Sequence, residues 1–200
     1  MGDYSFELRR FEPPGGGRSR CGVTFWDGEV GGLGPVELRV PALEVVPATD
    51  RGSYIGAMVT GDSIPVSSYV APPYGGKPRI AQGVLHVAGQ HAATSRSSWR
   101  WSKAGRALRI CVVGREYRYR ETSNKRHHTL ERQGAQVLMA RSNWRKPATI
   151  SGETRGSVDS VDLSLAILLE GVYTRNLSLR GAVISAPGRF LDSLGALGDI

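Results

Sequence analysis

The sequence predicts a mainly β (α+β) fold: an antiparallel β-barrel-like domain wrapped around one hydrophobic helix near the C-terminus, at about residues 159–172. Three observations lead to this prediction. Only one long helical pattern occurs in the 200 residues, and it is apolar on more than one face. Short patterns of alternating polar and apolar residues precede it. Gly and Pro, with 26 and 11 copies, divide those patterns into segments, as is typical of β-rich domains.

The predicted helix is too apolar to lie on a surface. A helix that is hydrophobic most of the way round must be enclosed by its own protein or by lipid. Its apolar run is shorter than the ~20 residues of a membrane span, and Asp162, Ser164 and Glu170 interrupt it. We therefore expect burial inside the protein, with Ser157, Asp159 or Ser160 as the N-cap. The apolar positions of one face are Val161, Leu165, Leu168, Leu169 and Val172, and Leu163, Ala166 and Ile167 lie off that face.

Strand patterns occupy most of the chain before the helix. Asp27-Gly28 is predicted as a hairpin turn, and residues 72–78 as a loop too polar to pack. Residues 108–140 read as a meander of antiparallel strands. The predicted strands are 4–8, 23–26, 36–40, 43–46, 54–60, 80–88, 108–113, 116–120, 129–132, 135–140 and 148–150.

The chain length suits a single β-rich domain over residues 1–200. Beyond the main helix, residues 176–184 form a possible last strand. Residues 186–200 form a possible short amphipathic tail helix, which either covers the barrel end or docks on a partner.

Two cysteines, Cys21 and Cys111, are too few and too far apart to staple the fold, so we expect buried thiols in a reducing compartment. The N-terminus has no secretory or myristoylation pattern, and a cytoplasmic location is expected. The histidine spacings fit no zinc motif, and no phosphate-binding Gly loop is present, so neither a metal nor a cofactor is expected.

Positive charge is concentrated between residues 96 and 146. This segment carries 14 Lys and Arg against three acids, a local balance of +11 in a chain of net charge +8. Such a face attracts polyanions, whereas solvated arginines without a specific role are the alternative. Interleaved Trp and Arg could grip phosphates and stack on bases, or anchor at a lipid interface. The alternative is a strand or loop whose tryptophans pack beneath the next strand. The candidate residues for an anionic partner are Trp99, Arg100, Trp101, Arg115, Arg118, Arg120, Lys125, Arg126 and Arg132.

The segment from about 105 to 175 resembles the tubby and LURP-one group. The resemblance rests on the strand at 108–110, Gly114-Arg115-Glu116-Tyr117-Arg118-Tyr119, Leu130-Glu131-Arg132-Gln133-Gly134 and the apolar helix that Asp159 opens. It implies a closed barrel threaded by the helix, and a binding or scaffold role rather than catalysis. Tubby itself docks phosphoinositide headgroups, but no ligand-binding residue carries over. This chain also continues beyond the helix.

The leading interpretation is thus a non-enzymatic binding or scaffold module for an anionic lipid headgroup or an acidic protein. Sequence-nonspecific nucleic-acid binding is the alternative. A less favoured alternative is a serine hydrolase, because Gly61-Asp62-Ser63-Ile64 matches the nucleophile block of GDSL-type enzymes. That reaction needs a histidine base, yet no His follows His128 and none has Asp three residues before it.

Overall fold

The predicted architecture is confirmed. A computed structural model describes residues 4–11, 23–80, 83–95, 107–122, 124–144 and 146–172. Twelve antiparallel strands form a closed barrel in the order β1-β14-β13-β12-β11-β10-β9-β8-β5-β4-β3-β2, and β6 and β7 form a separate two-stranded ribbon. The strands are β1 Ser5–Phe11, β2 Thr24–Val30, β3 Gly34–Val40, β4 Ile55–Gly61, β5 Ser67–Ala71, β6 Pro73–Tyr74, β7 Lys77–Pro78, β8 Val84–Val87, β9 Gln90–Ser95, β10 Leu108–Val112, β11 Arg115–Glu121, β12 His127–Arg132, β13 Ala135–Arg141 and β14 Thr149–Gly156.

One α-helix, α1 (Ser160–Gly171), follows the strands in the described part of the chain and fills the barrel. Every residue from Asp162 to Gly171 is buried, the polar ones included. Asp159 is the N-cap, and a reciprocal capping box joins it to Asp162. The hydroxyl of Ser164 has hydrogen-bond partners inside the barrel. It donates to the carbonyl of Pro65 at 2.6 Å and lies 2.7 Å from the hydroxyl of Ser67.

Alternation along the strands supplies the wall around this helix. In β13, for example, every second residue from Ala135 to Arg141 points inward and is buried. In β11 the two tyrosines, Tyr117 and Tyr119, point inward between outward charged residues. Period-two patterning thus places aliphatic and aromatic side chains against the helix on all sides.

The predicted turn at Asp27-Gly28 is wrong. Strand β2 runs through this dipeptide, and the chain turns at residues 31–33 instead. Gly28 lies opposite Leu8 on β1, where a Cβ atom would approach the carbonyl oxygen of Glu7 to 2.1 Å. The glycine is needed for close backbone approach between strands, a role that the dipeptide pattern does not distinguish from a turn.

Three further expectations also differ from the structure. Residues 43–46 are not a strand: Leu43–Val45 is a 3-10 helix, because the strands on either side of it, β3 and β4, pair directly with each other. The predicted loop at 72–78 contains the ribbon β6–β7. Cys111 is exposed on β10, not buried, because it falls on the outward parity of that strand. The predicted tail elements at 176–184 and 186–200, Cys21, and Trp99, Arg100 and Trp101 lie outside the described residues.

Candidate functional site

The barrel has two ends that differ in their chemistry. We call the end near the start of α1 the cap end; it carries the turns between β10 and β11 and between β12 and β13, together with Asp159. The opposite end, where α1 finishes, is called the exit end. The loops between β11 and β12 and between β13 and β14 lie there.

At the cap end, a buried helix carboxylate is held by side chains of the barrel rim. Asp162 accepts hydrogen bonds from Arg132 (2.8 Å from both Nε and Nη2), from the Tyr117 hydroxyl (3.0 Å) and from Arg115 (3.4 Å). It also accepts the backbone N–H of Asp159, at 3.0 Å. Burial raises the pKa of Tyr117 to about 12, so the phenol remains a proton donor.

The half-exposed Asp159 belongs to the same cluster, since Arg115 lies 2.7 Å from it. Burial alone would raise the pKa of Asp159. The helix N–H of Asp162 and the guanidinium of Arg115 outweigh that effect and hold the pKa below its usual value.

A groove of about 870 Å³ lies at the cap end, over the rim and the neighbouring outer wall. Four arginines and two glutamates line it, and glycines of the rim turns leave backbone accessible beside them. The charged lining residues are Arg115, Arg118, Arg132, Arg155, Glu116 and Glu131.

The register of the strands arranges the outer part of the groove as a row. Arg118 lies opposite Glu131, which lies opposite Gln136, which lies opposite Arg155. With adjacent strands about 4.8 Å apart, the two arginines are roughly 14 Å from each other. Arg109 extends the row on β10, directly opposite Arg118.

The ion pairs decide which of these arginines have charge to offer. Arg115 and Arg132 are matched by the helix carboxylates, and Arg120 pairs with Glu131 at 3.2 Å. Within the described part of the chain, Arg109, Arg118 and Arg155 form no ion pair. Arg109 and Arg118 lie directly opposite each other, where like charges destabilise a sheet. Since neither has an acidic partner among the described residues, the excess positive charge is concentrated at this part of the outer wall.

The predicted anion-binding residues therefore separate into three groups. Arg118 faces outward in the groove with its charge unpaired. Arg115, Arg120 and Arg132 lie at or beside the groove but hold carboxylates of the protein itself. Two residues lie at the exit end instead: Lys125 sits 5.1 Å from the Trp144 ring, and Arg126 donates to the carbonyl of Ser142 at 3.4 Å.

Sequence reasoning missed Arg155 and Arg109 as candidates. Arg155 falls outside the predicted strands, because the predicted strand stops at residue 150 whereas β14 continues to Gly156. Arg109 enters the sequence prediction only as part of an alternating strand. The alternation itself could have placed both residues on the outer wall, but only the register shows that they share one row with Arg118.

The exit end holds a second polar cluster, which is fully buried. Glu170 pairs with the Arg141 guanidinium, accepts the Tyr119 hydroxyl at 2.9 Å and lies 3.2 Å from Nδ1 of His128. Burial by itself would raise the pKa of Glu170, but Arg141 and His128 more than offset this and hold it well below its usual range. Burial also keeps the pKa of Tyr119 far above its ordinary value.

Lys77, on the ribbon strand β7, adds another cationic group to this end. Its Nζ is inaccessible, makes no hydrogen bond within the described residues and lies 5.4 Å from the Trp26 ring centroid. Burial, followed by repulsion from Arg141, lowers the pKa of Lys77 to about 7. The stem of the residue remains partly exposed even though the amine is covered.

Ser63, the candidate hydrolase nucleophile, lies within the described residues. Ser63 is exposed after the end of β4, and no hydrogen bond joins it to a histidine there. The neighbouring Ile64 is buried in the core, which gives the segment a packing role. No group of three or more His, Cys, Asp or Glu side chains in the described ranges could hold a metal ion.

The fold and the cap-end groove define the chain as a helix-filled antiparallel β-barrel with an arginine-lined surface groove. No family model, curated protein or solved structure matches it. None of the helices in the described ranges has the combined length and apolar character needed to cross a bilayer.

Proposed function

We propose that this protein is a non-enzymatic binding module that uses the cap-end groove to hold the headgroup of an anionic lipid. The observation that carries the proposal is the set of unpaired outward arginines, Arg109, Arg118 and Arg155, beside the groove. Arginine presents a planar fork of donors that matches phosphate oxygens, and its charge does not titrate. Backbone exposed at the glycine turns beside them adds room for close approach.

The proposal includes membership of the tubby and LURP-one group. A closed barrel enclosing its helix is compatible with that membership, and the Tyr-rich strand β11 and the rim turn at Gly134 both fall within the segment that carries the resemblance. Because Arg115 and Arg132 already pair with the helix carboxylates, the ligand anion is bound mainly by the outer row of arginines, Arg109, Arg118 and Arg155. A scaffold with an acidic protein partner would use the same row.

Vesicle flotation tests the proposal. The full chain is expected to float with phosphatidylserine-containing vesicles at low salt and to remain below with pure phosphatidylcholine. Arg118→Gln and Arg155→Gln should each weaken binding about fivefold, since one basic residue at an anionic surface contributes about 1 kcal/mol. Arg51→Gln removes the same charge from an exposed turn that is distant in sequence from Arg118 and Arg155, and it serves as the matched control.

Absence of flotation at low salt, or equal losses for Arg51→Gln and Arg118→Gln, would remove the lipid proposal. Retention of a DNA or RNA fragment, with affinity falling steeply as salt rises, would support the nucleic-acid alternative instead. Ester hydrolysis abolished by Ser63→Ala would restore the enzyme interpretation.

A further inference from the structure

A pair of histidines lies outside both clusters, on the outer wall formed by β8 and β9. His86 and His91 are directly opposite each other in the antiparallel register. Both are exposed, and their rings meet edge to face with centroids 5.6 Å apart and an interplanar angle of 76°. Neither ring makes a hydrogen bond to the described residues, so their nitrogens are available to a ligand.

The tight hairpin fixes this juxtaposition. Ala88 and Gly89 form the two-residue turn, both with positive φ (51° and 75°), and Val87 pairs with Gln90 across it. Hydrogen-bonded and non-hydrogen-bonded pairs alternate along such a hairpin, which makes His86 and His91 a non-hydrogen-bonded pair. Cβ atoms of such a pair are about 4.5–5.5 Å apart, closer than in the alternate pairs.

That spacing suits chelation of one metal ion by two imidazoles. Metal–nitrogen bonds of about 2.0–2.1 Å place the centroids of two rings on the same ion roughly 5–5.5 Å apart. The observed separation of 5.6 Å needs only a small side-chain rotation to reach this range. The linear sequence shows no metal motif because the residues are five apart; the hairpin register brings them together.

We propose that His86 and His91 form a two-ligand site for a borderline divalent transition-metal ion such as Ni²⁺ or Zn²⁺. No third His, Cys, Asp or Glu completes a cage in the described part of the chain. The remaining coordination positions are therefore open to water or to a donor from a partner. Imidazole nitrogen selects these metals over Mg²⁺ and Ca²⁺, which prefer oxygen ligands.

One neighbouring thiol requires its own control. Cys111 faces the same outer surface and pairs with Ala93, two residues beyond His91, so it is a diagonal neighbour of that histidine. Diagonal neighbours are about 7–8 Å apart, farther than the two histidines are from each other. The site as proposed does not use this thiol.

Calorimetric titration of the full chain with NiCl₂ and with ZnCl₂ tests the site. We expect one ion per chain, and at least a tenfold rise in Kd for His86→Phe or His91→Phe, which keep an aromatic pair but remove a ligand. Two variants should leave the Kd unchanged: Cys111→Ser, and His127→Gln, which removes a partly buried histidine already bonded to Asn124 at 2.8 Å. MgCl₂ should give no binding heat.

Thermal unfolding provides an independent measurement. A saturating ion that binds only the folded chain should raise the Tm of the parent by roughly 3–8 °C, and should leave the Tm of His86→Phe unchanged. Because both histidines are exposed, the metal-free variants should melt near the parent. Unchanged Kd values for both Phe variants, or losses for His127→Gln or Cys111→Ser as large as theirs, would overturn the proposal.

Discussion

Each end of the enclosed helix carries a buried carboxylate, and the two carboxylates are stabilised in different surroundings. Asp162 and Glu170 are both buried carboxylates, exposed by 2% and 0%, and each is held by an arginine and a tyrosine of the barrel. The cap-end arginines remain in contact with solvent, at 17% exposure for Arg132 and 32% for Arg115. Arg141 at the exit end is 3% exposed.

This difference separates a site that can exchange partners from one that cannot. Water screens the cap-end pairs and can replace either partner, so an arriving anion competes with Asp159 for Arg115 at little energetic cost. At the exit end, the low-dielectric interior makes every unpaired charge expensive. The exit-end cluster therefore positions the helix, while the cap end is where we propose that the ligand binds.

The largest expected effect comes from the helix between the two clusters. Leu168 is fully buried in the hydrophobic core. In Leu168→Asp a carboxylate is buried without the arginine that both natural carboxylates possess, and we expect the chain not to fold. Circular dichroism and a urea titration check this. A soluble variant with cooperative unfolding would show that the barrel tolerates an unpaired charge, and the comparison between the clusters would lose its basis.

The next effect compares the clusters directly. Arg141→Met leaves the Glu170 charge buried without its main partner and should lower the free energy of unfolding by about 3–5 kcal/mol. Arg132→Met should cost roughly 1–2 kcal/mol, because Asp162 keeps Arg115, Tyr117 and a backbone N–H, and water reaches the rim. Urea unfolding of both variants measures the difference, and equal losses would contradict the assignment of separate roles.

The helix and its enclosure could be predicted from the sequence, but these clusters could not. An apolar pattern on more than one face requires burial, and Asp159, one of the three N-cap candidates, is the N-cap that the structure shows. Asp162 and Glu170 read only as interruptions of the apolar run. Their tyrosine partners are 45 and 51 residues away, and strand register alone decides which inward side chain meets which turn of the helix.

The same reason explains why the ion pairs of the basic residues could not be predicted. Composition located the positive segment, but composition does not show which arginines have carboxylate partners. Arg115 and Arg132 follow the inward parity of the tyrosine and leucine in their strands, which takes them to the helix, whereas Arg118 is outward. The turn predicted at Asp27-Gly28 was wrong for the same reason. A glycine in a strand and a glycine in a turn cannot be distinguished in the sequence until the neighbouring strand is known.

The pH dependence of the free energy of unfolding tests the role of the buried Lys77 at the exit end. Its pKa is lowered to about 7 in the folded chain, so between pH 7 and the ordinary lysine value the unfolded state binds more protons. The free energy of unfolding should therefore rise as pH increases from about 7 to about 9. In Lys77→Met that contribution disappears, and the variant should be more stable than the parent at about pH 6 by about 1–3 kcal/mol. Urea titrations of the parent at about pH 7 and about pH 9 measure the rise in the free energy of unfolding. Urea titrations of the parent and of Lys77→Met at about pH 6 measure the difference in stability between them.

A variant that is less stable than the parent at the lower pH would contradict this account, because it would mean that the amine stabilises Glu170 more than its burial destabilises the fold. Arg51→Met provides the control. It replaces an exposed cation with the same apolar side chain, and should change stability by less than about 0.5 kcal/mol at either pH.

The smallest effect on stability should give the sharpest test of exchange at the cap end. Asp159→Ser keeps a hydroxyl that can cap the helix, so the free energy of unfolding should change by less than about 1 kcal/mol. It also frees Arg115, whose contact with Asp159 is 2.7 Å, and removes a negative charge from the groove border. Removing a like charge about 4 Å from a bound anion is worth about 1 kcal/mol in water, so binding to phosphatidylserine vesicles should tighten about fivefold.

The control for this exchange is Asp50→Ser, the same change at the partly buried end of the 3-10 helix Ala48–Asp50, which should leave vesicle binding unaltered. Flotation of both variants beside the parent measures the difference. If Asp159→Ser binds no more tightly than the parent, the helix holds the cap-end arginines as firmly as Glu170 holds Arg141. The proposed ligand would then be held by Arg109, Arg118 and Arg155 alone, because arginines that cannot leave their carboxylates have no charge to offer an arriving anion.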